Sequence, residues 1–240
     1  MSLRKPLFFF IALLLALPCV AQIKAPIQFN DPGYDTGRRL RFGFSLGINV
    51  MDFSMRNSVA PEGEDVNYFA DVSSLIPGFN VNGIADFRLS ENFHLRTLPG
   101  LAFGQRNIDF YVNGTESIEQ LKVESSFIEV PLMIKYSAVR TSNFRPYLIA
   151  GTNFRIDMAA YKKLNYEDKV WLKTIKGDIY YEFGFGLDFF LQYFKFSTEI
   201  KWSSGFLNVL TRDYLEEAEG YVNAIDHMQS QLLVISFHFE

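Results

Sequence analysis

From Leu40 onward hydrophobic and polar positions alternate with a period of two over stretches of ten or more residues, which predicts strands and not helices. In the first stretch Leu40, Phe42, Phe44, Leu46, Ile48 and Val50 share one face, and Arg41, Gly43, Ser45, Gly47, Asn49 and Met51 share the other. The pattern recurs from Phe79 to Leu89, from Phe93 to Arg106, from Ile128 to Tyr136, from Leu148 to Asp157, from Asp178 to Phe189, from Phe194 to Ser203 and from Leu233 to Phe239. Eight strands are expected. Connections of alternating length join them: long at 54–77, 111–124, 159–177 and 211–229, short at 90–92, 139–144 and 191–193. That parity fits an antiparallel sheet with turns on one side of a membrane and loops on the other, with both termini on the short-turn, periplasmic side.

Alternation alone fits a soluble barrel as well as a membrane barrel, and volume separates them. An eight-stranded barrel has barely enough interior for side chains to fill. Six large residues per strand would overfill it, whereas the opposite face carries Gly43, Gly47, Gly100, Gly104, Gly151, Gly184 and Gly186. The aromatic face therefore points outward, toward lipid, where closure of the barrel satisfies every backbone polar group. The expected fold class is all-β: an eight-stranded antiparallel transmembrane β-barrel of the bacterial outer membrane, with a filled interior. Phe53, Phe93, Phe110, Tyr136, Tyr193 and Trp202 are placed as outward rings near the strand ends, forming interfacial girdles.

Composition agrees. The 240 residues include 25 Phe and 12 Tyr but one Cys, so disulfide stapling is impossible. The first segment reads as a secretion signal, residues 1–21: Arg4 and Lys5, an apolar run from Leu7 to Leu17, then small residues ending at Ala21. Pro18 before Cys19 disfavours the lipoprotein alternative. Residues 22–37, with Pro26, Pro32 and Gly33, read as an extended periplasmic lead-in, and 38–240 as the barrel, a single domain. The formal charge is −4, and loss of Arg4 and Lys5 makes the mature chain more acidic, so nucleic acid is not an expected partner. Without Cys19 there is no thiol catalysis, Cys-ligated zinc or iron–sulfur chemistry.

Charges on the inward face need partners in a narrow, dry space. Arg41, Arg88, Arg96, Arg106, Lys135, Arg155, Lys195 and Lys201 are matched against Asp86, Glu129, Asp157, Asp178, Glu182, Asp188 and Glu199. They are expected to form a structural salt-bridge network that plugs the barrel, with proton relay or ion selectivity as the sharper alternative. No catalytic, cofactor-binding or metal-binding residue is assigned, and no small-molecule substrate is expected. Of three histidines only His227, beside Asp226 and near Ser230, falls toward the long-loop rim; it would serve a lipid-modifying barrel enzyme if one were present. Gly184-Phe185-Gly186 lies within a strand and Asn113-Gly114-Thr115 reads as a loop turn.

The run Leu95-Arg96-Thr97-Leu98-Pro99-Gly100-Leu101-Ala102-Phe103-Gly104-Gln105-Arg106, followed by Glu129-Val130-Pro131-Leu132-Met133-Ile134-Lys135-Tyr136 and Arg145-Pro146-Tyr147-Leu148-Ile149-Ala150-Gly151, resembles the PorT family of Bacteroidetes outer-membrane barrels. The resemblance implies a non-enzymatic part in type IX secretion of proteins with C-terminal sorting domains, in gliding motility in some species, and other secretion subunits as partners. A structural or adhesion barrel outside that apparatus is the other reading. Pro99 and Pro131 are expected at bulges or at edges of local pairing, since proline cannot donate to a ladder. The closing alternation to Phe239 resembles the terminal strand of outer-membrane barrels, with Glu240 as a departure after the last ring.

Overall fold

A computed structural model describes residues 38–57, 68–112, 117–161, 173–211 and 225–240. The leader and lead-in assigned to 1–37, and the turn at Asn113 to Thr115, lie outside the described residues. The strands are β1 (Leu40–Asn57), β2 (Tyr68–Leu75), β3 (Pro77–Arg88), β4 (Phe93–Thr97), β5 (Gly100–Val112), β6 (Ser117–Ser137), β7 (Phe144–Asp157), β8 (Lys173–Thr174), β9 (Gly177–Phe190), β10 (Lys195–Gly205), β11 (Leu210–Thr211) and β12 (Ile225–Phe239). All pairings are antiparallel. β2 runs into β3 across Ile76, and β4 into β5 across Leu98-Pro99, so eight wall segments result. They form a ring: β1 pairs with β3 on one side and β12 on the other, and β12, β10, β9, β7 and β6 lead round to β4 and β5. Ring closure leaves the membrane-level strands without an edge.

Outward positions on this ring are the greasy ones. Phe42 is 70% exposed, Leu148 61% and Phe185 57%, values that only a hydrocarbon surround tolerates in a stable chain. Along β1 the lipid-facing run spans ten residue steps from Leu40 to Val50. At roughly 3.3 Å per residue and a tilt of about 40° this is a band ~25 Å tall, the height of the apolar belt of outer-membrane barrels.

Above that belt the alternation inverts. Asp52, Ser54 and Arg56 on β1, Lys122, Glu124 and Ser126 on β6, and Gln229 and Gln231 on β12 turn outward, while Phe53, Ile108, Phe110, Leu121, Ile225 and Met228 turn inward and form a buried apolar core. The boundary is level between β1 and β12: Val50 stands opposite Leu233, and one step higher on the same face Asp52 stands opposite Gln231. Below it the barrel obeys lipid and above it water. Val209 and Leu210 join the upper core. They are carried by the two-residue β8–β11 ladder, which the Val209 N–H fastens to the Met228 carbonyl at 2.8 Å and the Ile175 N–H to the Val209 carbonyl at 2.9 Å.

This inversion corrects three expectations. Phe53 and Phe110 are not girdle rings; they are 5% and 1% exposed and lie in the upper core. The segments read as long loops at 54–77 and 111–124 are largely strand, because β1, β2, β5 and β6 continue past the belt with their apolar residues on the other face. The last loop likewise ends at Ile225, where β12 begins. Among the described residues β2 pairs with β5 alone, and the backbone N–H groups of Phe53 and Val72 are satisfied by the carboxylates of Asp52 and Asp71, both at 2.8 Å.

The two prolines explain each other. Thr97 pairs with Leu132 and Gly100 with Glu129, so Pro131, which has no N–H to donate, faces the Leu98-Pro99 interruption while its ladder to β7 runs on through Asn153 without a shift. Rings that do line the outward rims include Phe93 and Tyr136, with centroids 5.0 Å apart, and Tyr181 and Trp202 at 5.5 Å. Such offset pairs stabilise beyond their buried area and suit the wet edge of a membrane.

Candidate functional site: a charged lattice across the lumen

Inward positions of consecutive strands face one another across a space only a few side chains wide, so each charge meets a partner from a distant part of the chain. Nearest the short turns, Asp86 on β3 accepts from Arg96 Nε at 2.8 Å and lies 2.7 Å from His94 Nδ1. Arg96 reaches on to Glu240 at 2.6 Å, and the second oxygen of Glu240 lies 2.6 Å from Lys195 Nζ. Asp188 accepts from Lys135 through both oxygens at 2.8 Å, from the Ser197 hydroxyl at 2.7 Å and from Arg145 at 3.5 Å. Arg41 is buried on β1, with Asp86 as its cross-strand neighbour.

Midway up, the Tyr147 hydroxyl donates to Glu199 at 2.9 Å and the Lys135 ammonium sits 3.6 Å from the centre of the Tyr147 ring. His238 Nε2 is 3.4 Å from Glu199. The ring of Tyr147 lies across Gly186, where an added Cβ would meet both that ring and the Thr198 carbonyl, so only glycine admits it. Higher still, Arg155 bridges two carboxylates, donating from Nε to Glu129 at 3.0 Å and from NH2 to Glu182 at 2.8 Å. Asn82 donates to Glu129 at 2.6 Å, Asn153 to Glu182 at 2.8 Å, and Lys201 lies 2.9 Å from Glu182. These groups are almost wholly sealed from solvent, where an unpaired charge is expensive and a paired one with its remaining lone pairs bonded is tolerable.

The lattice therefore holds Asp86, Arg96, Glu129, Lys135, Arg155, Glu182, Asp188, Glu199 and Lys201 in direct contact with a partner. Four expected members behave differently. Arg88 is on the inward phase, but at the rim of the short turn, where its Nε donates to the Ser90 carbonyl at 3.2 Å. Asp157 is buried at the end of β7 and caps backbone: it accepts from the Ser126 N–H at 3.1 Å and the Ala159 N–H at 2.9 Å. Arg106 donates to hydroxyl and carbonyl oxygens and meets no carboxylate among the described residues. Asp178 likewise accepts from the Ile179 and Leu207 N–H groups, at 2.7 and 3.2 Å.

Four participants were outside the expected network: His94, Arg145, His238 and Glu240. Strand parity carries the signal for each, since all sit an even number of residues from an assigned inward charge or follow an outward ring. The His227 grouping is not assembled. Ser230 turns into the lumen and its hydroxyl accepts from Arg106 at 2.7 Å, while His227 stands opposite Arg56 on the β1–β12 ladder.

A cavity of about 10 Å³, room for one water, lies under the β8–β11 cap between Phe53, Arg106, Phe127, Tyr180, Val209 and Ser230. Among the described residues, the polar lattice lies below this cavity and the apolar core lines the barrel above the lattice.

Comparison with known proteins accords with this architecture. Among solved structures the chain is similar to the outer membrane protein OprG from Pseudomonas aeruginosa, at 13% identity over 83% of this chain and 91% of that one, with a TM-score of 0.40. It is also similar to the N-terminal β-barrel domain of Pseudomonas aeruginosa OprF, at 14% identity over 81% and 97% of the two chains, with a TM-score of 0.30. No curated protein matches. Residues 20–211 match the model of the outer membrane protein β-barrel domain, and with a closed antiparallel ring bearing a lipid-facing belt, the chain belongs to that family of outer-membrane barrels.

Proposed function

We propose that this barrel is a non-enzymatic component of the type IX secretion apparatus that works through its surfaces and not through its lumen. The observation that carries the second half is the lattice itself: Arg155 bridging Glu129 and Glu182 spans the interior, with an apolar cap above it. A folded cargo has no route through so narrow a cylinder. The first half is supported by the sequence resemblance to the PorT family. The short turns and both strand termini are assigned to the periplasm, and the tall upper walls and the β8–β11 cap to the outside, following the usual parity of such barrels. Other secretion subunits would then meet the periplasmic rim, the lipid-facing wall or the outer walls.

A lipid-modifying enzyme built on His227 has no support in the geometry, because Ser230 is committed to Arg106 on the opposite face of β12. The decisive experiment is deletion of the gene in its own host. Proteins with C-terminal sorting domains should then accumulate behind the outer membrane, and gentle detergent extraction of the tagged barrel should bring secretion subunits with it. Normal delivery of such proteins to the surface would sink the secretion assignment and leave a solitary structural barrel.

A further inference from the structure

Five sealed cations of the lumen, Arg96, Lys135, Arg155, Lys195 and Lys201, each have a carboxylate oxygen within 3.0 Å. Arg106 has none among the described residues, although it is only 1% exposed. Its NH1 donates to Ser230 Oγ at 2.7 Å and the Asp52 carbonyl at 3.5 Å, its NH2 donates to Ser125 Oγ, and its plane lies 3.7 Å from the centre of the Phe53 ring. Every one of these partners is neutral, and among the described residues Nε has no acceptor. A guanidinium is always charged, so in this low-dielectric setting a full positive charge stands without a contacting counter-charge.

The same arginine lines the cavity under the β8–β11 cap, together with Arg155, Tyr180 and Ile175, and with the exposed Lys176. Two carboxylates also line it, Asp157 and Asp178. Neither comes within ion-pair distance of Arg106; both accept from backbone N–H groups, and Asp178 Oδ2 is left without a partner. Space here suits one particle of about the size of water. A water would satisfy Nε but bring no charge, whereas a halide, somewhat larger than water, supplies both an acceptor and a negative charge in contact with the guanidinium.

We infer that this cavity is a binding site for a single small monovalent anion of the halide class, held by the Arg106 guanidinium beneath the β8–β11 cap. The inference is independent of the secretion role.

Bromide is the probe. Crystals of the full barrel grown in sodium bromide, measured at the bromine absorption edge, should show an anomalous peak within hydrogen-bonding distance of Arg106. In detergent solution, once the site is saturated, each tenfold rise in chloride at constant ionic strength, with gluconate as the balancing anion, should lower the unfolding constant of the wild type about tenfold. Arg106→Gln should abolish that dependence. Should the glutamine variant fail to fold, the wild-type bromide map decides alone. A water joining Arg106 to Asp178 in place of the peak, or a wild-type unfolding constant indifferent to the anion, overturns the site.

Discussion

Glu240, the residue after the last aromatic of β12, accepts from Arg96 at 2.6 Å although 144 positions separate the two in the chain. Its other carboxylate oxygen lies as close to Lys195, and its backbone exchanges hydrogen bonds with Lys195 in both directions. The side chain thus draws the end of β12 into the short-turn mouth of the barrel, where it is the contacting carboxylate of Lys195 and the second one, after Asp86, of Arg96.

Removing that carboxylate should therefore cost far more than loss of a terminal surface residue. Glu240→Ala strands the sealed Lys195 ammonium and removes one of the two carboxylates on Arg96, which keeps Asp86, a change of the class that costs about 3–5 kcal/mol when one partner of a buried pair is deleted. Urea unfolding of the refolded barrel in detergent, read by heat-modifiable gel mobility, measures it. A loss below about 1 kcal/mol would mean that the mouth is wet and the pairs screened.

Gly186 and Tyr147 make a second coupled pair. Gly186→Ala places a methyl group against the tyrosine ring and should cost about 1–3 kcal/mol as an overpacking change. The displaced ring would also give up its hydrogen bond to Glu199 and its place under Lys135. In a Tyr147→Ala background the same glycine substitution should cost less, and a double-mutant cycle on unfolding free energies reads the coupling directly.

The inversion of the wall is tested on one strand. Ile134 of β6 is 54% exposed within the lipid belt, whereas Glu124 of the same strand is exposed above it. Ile134→Arg should destabilise insertion by about 2–4 kcal/mol, the cost of arginine near the bilayer midplane, and Glu124→Arg by about 1 kcal/mol at most. Folding titrations into lipid vesicles supply both values, and equal costs would show the belt to be drawn in the wrong place.

Phe110 and Phe185 separate the two kinds of phenylalanine. Phe110 fills the upper core and Phe185 meets lipid. Phe110→Ala should cost about 3–5 kcal/mol, as for other large-to-small core changes. Phe185→Ala should cost clearly less, because acyl chains flow into the space that the ring vacates. Unfolding of the two variants side by side provides the comparison.

How far these features could be read in advance depends on where in the barrel they lie. Within the lipid belt two-residue alternation is enforced at every step, because one face meets hydrocarbon and the other a narrow polar lumen. Strand number, antiparallel order, outward aromatics and the inward placement of residues such as Arg96, Glu129 and Glu182 follow from Leu40 to Val50 and its seven counterparts. The same rule, followed as a search for outward grease, ends β1 too early, begins β12 too late and turns Phe53 and Phe110 the wrong way, since above the membrane the rewarded face is the inner one.

Parity also assigns a side chain to the lumen without saying at what height or against whom. Arg88, Asp157 and Arg106 share the phase of the lattice, yet one serves a turn, one caps a strand end and one faces only hydroxyls, a carbonyl and a ring. Glu240 looked like a departure from a terminal aromatic but is the continuation of the inward phase. Partner choice depends on the stagger between strands, which sets which residues share a layer of the cylinder. Local alternation determined the chemistry of each face of the sheet; the closing of the ring, which brings β12 beside β1 and Arg96 beside Glu240, decided which charges meet.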